Sequence, residues 1–334
     1  MKIVVWLIVF SLLFIGFFHP FYSITQDLGR HLKTGEIIVK TGEVPKTNLF
    51  SYTYPDFPFI NHHWLSEVIY YILFQKIGFN GLLIINTVLA LLSFGLIFLK
   101  ASKKSKAIVL LFCSLLYVPI LFERTDVRPE FFSFLFLSVF IIILYKFREK
   151  FTRLIFLLPL VELLWVNTHI YFPIGIVLIV FFAIDSIIKH KSLNSRYIGI
   201  FAVVLAGCIF ATFLNPNGLK GALYPFSVFQ NYGYSIEENQ NIFFLWSIIH
   251  KQSILFFFIA VPLLFVSLIL NLKRVLLVDW FISIFFTILA MLSIRNFPLF
   301  VLATFIPFVK YTSSLNLFGI SKHIKILLLV LLFF

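Results

Sequence analysis

The stretch FNGLLIINTVLALLSFGLIFL, residues 79–99, decides the fold. Its 21 residues include no charged side chain. An α-helix needs about 20 mostly apolar residues to cross the hydrocarbon core of a bilayer, whereas a surface helix of a soluble protein keeps a polar face. The stretch therefore predicts a transmembrane helix.

Similar apolar runs, separated by short polar segments, recur along the chain. Hydrophobic residues make up 61% of the 334 residues and charged residues 12%, which excludes a water-soluble domain. We therefore expect an all-α fold, a polytopic bundle of about 11 helices that forms one transmembrane domain over residues 1–334. The expected spans are residues 3–18, 79–99, 107–122, 131–145, 154–170, 171–188, 197–214, 253–271, 275–292, 296–309 and 324–334.

The basic residues indicate the orientation of the chain. The formal charge is +13, but lysine and arginine lie in short loops between apolar runs, a pattern of membrane topology and not of nucleic-acid binding. If the amino terminus is cytoplasmic, 17 of the 27 basic residues fall in inside segments. Ten of the 14 carboxylates fall in outside segments, although acidic residues contribute little to topology. We therefore expect a multi-pass plasma-membrane protein whose functional groups gather on the outer face.

Two outer segments, residues 19–78 and 215–252, are longer than simple turns, and functional residues often lie in such segments. In the first, Thr25 is expected to cap a helix that ends at Gly35 and lies on the membrane surface. Residues 64–77 form a second apolar stretch of only 14 residues, too short to span. The first outer loop is thus predicted to carry two interfacial helices, the second of which can also be re-entrant.

Asp27 and His31 are the first candidates for chemistry. They are four residues apart and share a helix face, at a position where a carboxylate would meet substrate at the outer leaflet. The alternative is a first-turn acid favoured by the helix dipole, with His31 among the lipid headgroups.

The densest polar group of the first outer loop contains His62, His63 and Glu67. His63 and Glu67 again share a helix face. Together with Asp27 and His31, these side chains can offer imidazole and carboxylate ligands to a divalent cation, but no compact ligand motif is present, so no metal ligand is assigned. The alternative is an anchor in the aromatic belt of the membrane, combined with helix capping.

Further polar residues are expected at the outer ends of the spans. Five charged residues crowd the turn at 123–130, where Arg128 can present its guanidinium fork to phosphate or, alternatively, can close a salt-bridge network. Asn167 and His169 lie in the outer half of a predicted span, and polar groups at that depth usually face a bundle interior or a wet cavity. Arg295, at the outer start of another span, is a second candidate for binding an anionic lipid phosphate.

Three carboxylates lie in or at the edges of predicted spans. Asp185 and Asp279 are near the cytoplasmic ends, where we expect each of them to pair with a local lysine or arginine. Glu162 lies deeper in a predicted span, and it is the one residue that favours a transport function.

Several motifs together resemble the membrane glycosyltransferases of the GT-C superfamily, in particular the uncharacterised prokaryotic membrane proteins related to dolichyl-phosphate-mannose-protein mannosyltransferases. The motifs, spread over most of the chain, are DLGRHLKTGE at 27–36, VPKTNLFSYT at 44–53, HHWLSE at 62–67, RPEFFS at 128–133, WVNTH at 165–169, NPNG at 215–218 and RNFPL at 295–299. In that superfamily an acidic residue of the first outer loop serves catalysis, so the resemblance implies Asp27 as the catalytic residue. The Asp-x-Asp motif or adjacent acidic pair of the better-understood members is absent, because Leu28 and Gly29 follow Asp27.

The sequence and the resemblance together predict an inverting glycosyltransferase at the outer face of the membrane. Its donor would be a sugar on a polyprenyl phosphate, and its acceptor a glycan, a lipid or a protein. Asp27 would act as general base. The predicted substrate-binding residues are His31, His62, His63, Glu67, Arg128, Asn167, His169 and Arg295.

Three alternatives stay open at this point. An O-antigen ligase or polysaccharide polymerase would also join lipid-linked glycans in the same compartment. A lipid-linked-glycan transporter would need a polar path across the midplane, whereas the polar residues here lie mainly on one side. A non-catalytic scaffold could keep the fold of a transferase without its activity.

Overall fold

The computed structural model describes residues 1–19, 27–190, 196–227 and 237–315. Within these residues the regular structure is helical, and strand-type pairing is limited to one isolated antiparallel bridge between Thr47 and Pro58. The prediction of an all-α fold is confirmed.

Thirteen α-helices and three short 3-10 helices occur in the described part of the chain. The α-helices are α1 (Lys2–Phe17), α2 (Leu28–Thr41), α3 (Trp64–Ser102), α4 (Ala107–Leu121), α5 (Glu130–Glu149), α6 (Leu158–Thr168), α7 (Pro173–His190), α8 (Arg196–Thr212), α9 (Gly218–Ser227), α10 (Ile242–Ile248), α11 (Gln252–Ile269), α12 (Leu277–Leu292) and α13 (Phe297–Ser314). The 3-10 helices are Arg153–Leu157, Glu237–Asn239 and Ile294–Asn296.

Among the residues that the structure describes, four helices are long and apolar enough to cross a membrane: Trp64–Ser102, Glu130–Glu149, Gln252–Ile269 and Ile294–Ser314. Four shorter helices, α1, α4, α8 and α12, are also apolar. Ten of the 11 predicted spans coincide with helices, and the last, 324–334, lies outside the described residues. The number of helices that cross the bilayer stays a prediction.

Gly78 separates residues 64–77, which are predicted to be interfacial, from the predicted span that follows them. At Gly78, inside α3, the backbone has φ 64° and ψ −165°, a conformation that only glycine adopts readily. Helix α3 therefore consists of two helical segments, 64–77 and 79–102. This division agrees with the boundary predicted from the sequence.

Helix α2 is longer than the sequence indicates. The predicted end at Gly35 is wrong, because the helix continues to Thr41. Gly42 ends it instead: its backbone is left-handed, with φ 74°, and its N–H donates to the carbonyl of Ile38. The predicted cap, Thr25, lies outside the described residues.

Gly35 serves close packing between α2 and α3. A Cβ atom placed on Gly35 would lie 2.2 Å from the backbone oxygen of Glu67 and 2.8 Å from Cβ of Tyr71. Helix α2 can approach α3 this closely only because residue 35 has no side chain. The same approach brings His31, one turn earlier on α2, against Glu67.

The described residues form two compact units. The first unit contains the described residues among 1–16, 94–125 and 235–334, and the second contains those among 17–93 and 126–234. All but one of the residues predicted for the functional site belong to the second unit.

The two carboxylates that were predicted to pair with local basic residues do so. In the second unit, Oδ2 of Asp185 lies 2.6 Å from Nε of Arg148, which joins α7 to α5. In the first unit, Asp279 accepts hydrogen bonds from Nζ of Lys310 at 3.0 Å and from the hydroxyl of Tyr311 at 2.5 Å. Each buried charge thus has the partner that apolar surroundings require.

Replacing Gly35 with alanine tests the close contact of α2 with α3. The new Cβ would meet the backbone of Glu67, which cannot move aside as a flexible side chain does, so Gly35→Ala is expected to lower the free energy of unfolding by about 1–3 kcal/mol. Gly29→Ala is the matched control, because nothing lies within 4 Å of its Cβ position and alanine favours a helix over glycine. Thermal unfolding of the purified proteins in detergent measures both variants, and equal stabilities would contradict the close packing.

Candidate functional site

The first two turns of α3 connect most of the residues predicted for the site. They contact the start of α2, the loop that precedes α3, the turn before α5 and the end of α6. The polar partners in these contacts come from positions far apart in the sequence, so only the folded chain brings them together.

Glu67 is the centre of a buried polar cluster. Its Oε1 lies 2.9 Å from Nδ1 of His31 and 3.2 Å from Nε2 of His63. Its Oε2 accepts a 2.6 Å hydrogen bond from Nδ2 of Asn61. The exposed fraction is 0% for Glu67, 4% for His31 and 5% for His63. A carboxylate can be buried in this way only because both of its oxygens have polar neighbours.

Burial also decides the protonation of His31. It lowers the pKa of His31 to about 4, although the hydrogen bond with Glu67 acts in the opposite direction. His31 is therefore a neutral imidazole at neutral pH and donates its Nδ1 hydrogen to the carboxylate. On the other side of the cluster, Oδ1 of Asn61 accepts the backbone N–H of His63 at 3.1 Å, which fixes the turn that leads into α3.

Asp27 is the accessible acid of the site. It lies at the N-cap of α2, its side chain makes no capping hydrogen bond, and the side chain is 40% exposed. Its Oδ2 lies 3.6 Å from Nη1 of Arg128, and its Oδ1 lies 3.8 Å from Nη2 of Arg30. This arrangement offers a carboxylate to a hydroxyl group and a guanidinium to an anion at the same place.

An apolar cluster fixes the position of Asp27 relative to Arg128. It contains Leu28, Tyr70, Leu82, Leu83 and Val127. The residue after Asp27 and the residue before Arg128 both belong to it, so their burial holds both segments against α3. In addition, the hydroxyl of Tyr70 donates to the backbone carbonyl of Arg128 at 2.8 Å.

Asn167 and His169, at the end of α6, belong to the same unit as Asp27 and Glu67. Oδ1 of Asn167 accepts a 2.7 Å hydrogen bond from Nε1 of Trp64 at the start of α3. Oγ of Ser133 accepts a 2.7 Å hydrogen bond from Nε1 of Trp165 and lies 2.8 Å from Nδ1 of His169. Both predicted residues are buried, and these contacts connect helices to one another.

His62 and Arg295 complete the predicted set. His62 is half-buried, and its ring centroid lies 4.3 Å from that of His63 and 5.2 Å from that of Tyr224. Arg295 is the one predicted residue in the first unit, where its Nη1 donates to Oδ1 of Asn239 at 3.1 Å.

Part of the charged turn at 123–130 forms salt bridges. In the first unit, Glu123 accepts a hydrogen bond from Lys251 at 2.9 Å, and Arg124 pairs with Glu238, as the salt-bridge alternative expects. Arg128, in contrast, belongs to the candidate site. The sequence alone does not show which of these residues form salt bridges and which one lies at the candidate site, because all of them lie on one short turn.

Tyr70 and Ser133 contact predicted site residues, but the sequence does not single them out. Tyr70 lies in an apolar helix, where a tyrosine normally indicates a membrane interface. Ser133 stands within the motif RPEFFS, but the motif gives it no role. Only the contacts with Arg128 and His169 identify these two hydroxyl groups.

Comparison with protein-family models, curated proteins and solved structures gave no match for this chain. The resemblance to GT-C transferases therefore stays a prediction that rests on the motifs quoted above. The function of the site has to be inferred from its own chemistry.

Tyr70→Phe tests the support of the Arg128 segment. The variant keeps the packing of the ring but leaves the Arg128 carbonyl without its donor, so the free energy of unfolding is expected to fall by about 1 kcal/mol. Tyr52→Phe is the control and should be neutral, because Tyr52 is 100% exposed. Thermal unfolding compares the two, and a Tyr70→Phe protein as stable as the wild type would show that this hydrogen bond does not fix the segment.

Proposed function

We propose that the protein is a membrane glycosyltransferase that transfers a sugar from a polyprenyl-phosphate donor to an acceptor hydroxyl. The observation that carries the proposal is an accessible carboxylate, Asp27, with the guanidinium group of Arg128 3.6 Å away. Transfer from a lipid phosphate needs one group of each charge: a base for the acceptor and a cation for the departing phosphate.

The two groups divide the reaction between them. Asp27 takes the proton of the acceptor hydroxyl while that oxygen attacks the anomeric carbon of the donor. The bond between this carbon and the phosphate oxygen breaks, so the configuration inverts. The polyprenyl phosphate leaves as an anion with the electron pair of the broken bond, and Arg128 balances its charge. Because a phosphate needs no proton in order to leave, one carboxylate suffices, whereas most glycoside hydrolases need two.

The neighbouring polar residues position these groups. His31 and Glu67 are buried and bonded to each other, one turn of α2 away from Asp27, so we assign them a positioning role. His62 is half-buried and is the histidine that a bound substrate can reach.

We place the site at the outer face of the plasma membrane, with the amino terminus in the cytoplasm. The excess of basic residues in the inside segments is the evidence for this orientation. Two contacts support the alternation of the first spans: Nζ of Lys2 donates to the carbonyl of Ser102 at 2.7 Å, and Trp6 packs against the edge of Phe98. Helix α1 and the end of α3 thus run antiparallel, with both basic ends on one side. In this orientation residues 19–78 lie outside.

A lipid-linked-glycan transporter is the second candidate function, because of one observation in α6. Glu162 is fully buried, and neither of its carboxylate oxygens makes a hydrogen bond within the described part of the chain. Buried acids in membrane helices often mark transport paths. Movement of a labelled polyprenyl-phosphate sugar across vesicles that contain the protein, without transfer to an acceptor, would identify this function.

Asp27→Asn tests the proposed base. In a strain that lacks the gene, the variant is expected to reduce the glycan product at least about 100-fold, because an amide does not accept the proton. Mass spectrometry of envelope glycans and glycolipids measures the product, and immunoblotting checks for equal protein in the membrane. Asp56→Asn, at an exposed aspartate of the same loop, should restore the wild-type glycans. Full product formation by Asp27→Asn would overturn the proposal.

Arg128→Gln tests the proposed phosphate contact. Without the guanidinium the leaving phosphate loses its counter-charge, so kcat is expected to fall about 100-fold. Arg30→Gln is the matched control: it removes the guanidinium 3.8 Å from the other oxygen of Asp27, in a partly exposed pair, so a fall of less than about 10-fold is expected. The donor in this assay is a single sugar on polyprenyl phosphate, and a parallel assay with an oligosaccharide on pyrophosphate separates the transferase from a ligase or polymerase. Equal losses in the two variants would contradict the role given to Arg128.

A further inference from the structure

Three side chains that the transfer chemistry does not use come together at the start of α3. His31, His63 and Glu67 each offer one ligand atom, and these atoms all lie within 4.8 Å of one another. We propose that they bind a divalent d-block cation, with zinc as the expected ion. The proposal rests on this cluster alone and does not depend on glycosyl transfer.

The distances in the cluster suit such an ion. In tetrahedral zinc sites, bonds of about 2.0–2.1 Å to nitrogen and oxygen place neighbouring ligand atoms about 3.3 Å apart. Here Oε1 of Glu67 lies 2.9 Å from Nδ1 of His31 and 3.2 Å from Nε2 of His63. Only small shifts of the side chains are needed to bring these two separations to the zinc value.

Nε2 of His63 is the atom whose burial the hydrogen bonds of the cluster do not explain. It is buried and makes no hydrogen bond within the described residues, although it lies 3.2 Å from Oε1 of Glu67. Buried polar atoms nearly always have a partner, and each exception needs a reason. A metal ion bound to its lone pair would supply that partner.

Asn61 supplies the outer contact that such a site requires. Carboxylates that bind a metal are usually held by a hydrogen bond of their own, and Nδ2 of Asn61 donates to Oε2 of Glu67 at 2.6 Å. Oε1 is thereby left for the ion. When the ion binds, His31 takes the tautomer with its hydrogen on Nε2 instead of Nδ1, because a ligand nitrogen must be unprotonated.

The donor set selects the class of ion. Two imidazoles and one carboxylate favour zinc or a similar d-block ion over magnesium and calcium, which prefer oxygen ligands. A water molecule can complete a tetrahedral coordination. Because His31 belongs to α2, His63 to the preceding loop and Glu67 to α3, one ion would cross-link three segments of the first outer loop.

Metal analysis of the full chain, purified in detergent without chelator, tests the proposal. One zinc ion per chain is expected, and removal of the ion should lower the midpoint of thermal unfolding, with recovery when zinc is added. Titration of the stripped protein with Co²⁺ should give the visible absorption of tetrahedral cobalt. A stripped wild-type protein that binds neither zinc nor cobalt would show that the cluster is a hydrogen-bond network only, which would overturn the proposal.

Variants assign the ion to the cluster. Asn61→Ala is expected to weaken cobalt binding by about 10- to 100-fold and Glu67→Gln by more than that, whereas His250→Gln, at an exposed histidine outside the cluster, should bind cobalt as the wild type does. His63→Cys gives a positive signal if the other variants fail to fold: cobalt should then show a sulfur-to-metal charge-transfer band in the near ultraviolet, which the wild type lacks. Unchanged cobalt binding in all the cluster variants would overturn the proposal.

Discussion

The buried carboxylate of Glu67 is the constraint on which the architecture of the second unit depends. A charge with 0% exposure is tolerated only if polar partners reach both of its oxygens. Asn61 and His63 come from the loop before α3, and His31 comes from α2. The α2 partner reaches Glu67 only because Gly35 lets the two backbones approach. One charge therefore requires a loop and two helices to take a single arrangement.

This arrangement determines where the exposed acid lies. His31 is one turn from Asp27 on α2, so the contact that satisfies Glu67 also sets the start of that helix. The burial of Leu28 and Val127 in one apolar cluster then keeps Asp27 and Arg128 within 3.6 Å of each other. The polar cluster and the apolar cluster thus both hold the start of α2 against α3.

The positions of the ten apolar helices that coincide with predicted spans could be predicted from the sequence, because an apolar run of bilayer length leaves the backbone few alternatives to a helix. The partners of Asp185 and Asp279 were predictable for a related reason, since a charge at the edge of a span needs a nearby opposite charge. Gly35 was not predictable. A glycine in an amphipathic helix is compatible with a helix end and with a close contact, and only the carbonyl of Glu67, 32 positions later, decides between them.

The difference in burial between Glu67 and Asp27 supports the choice of Asp27 as the proposed base. Glu67 has the stronger polar environment, but its oxygens are already occupied by Asn61 and His31, and no acceptor hydroxyl can reach a side chain with no exposed surface. Asp27 has weaker partners, at 3.6 and 3.8 Å, and a side chain that is 40% exposed. A general base must be within hydrogen-bond reach of the proton that it removes. The acid that is held less tightly, Asp27, is therefore the one that we propose as the base.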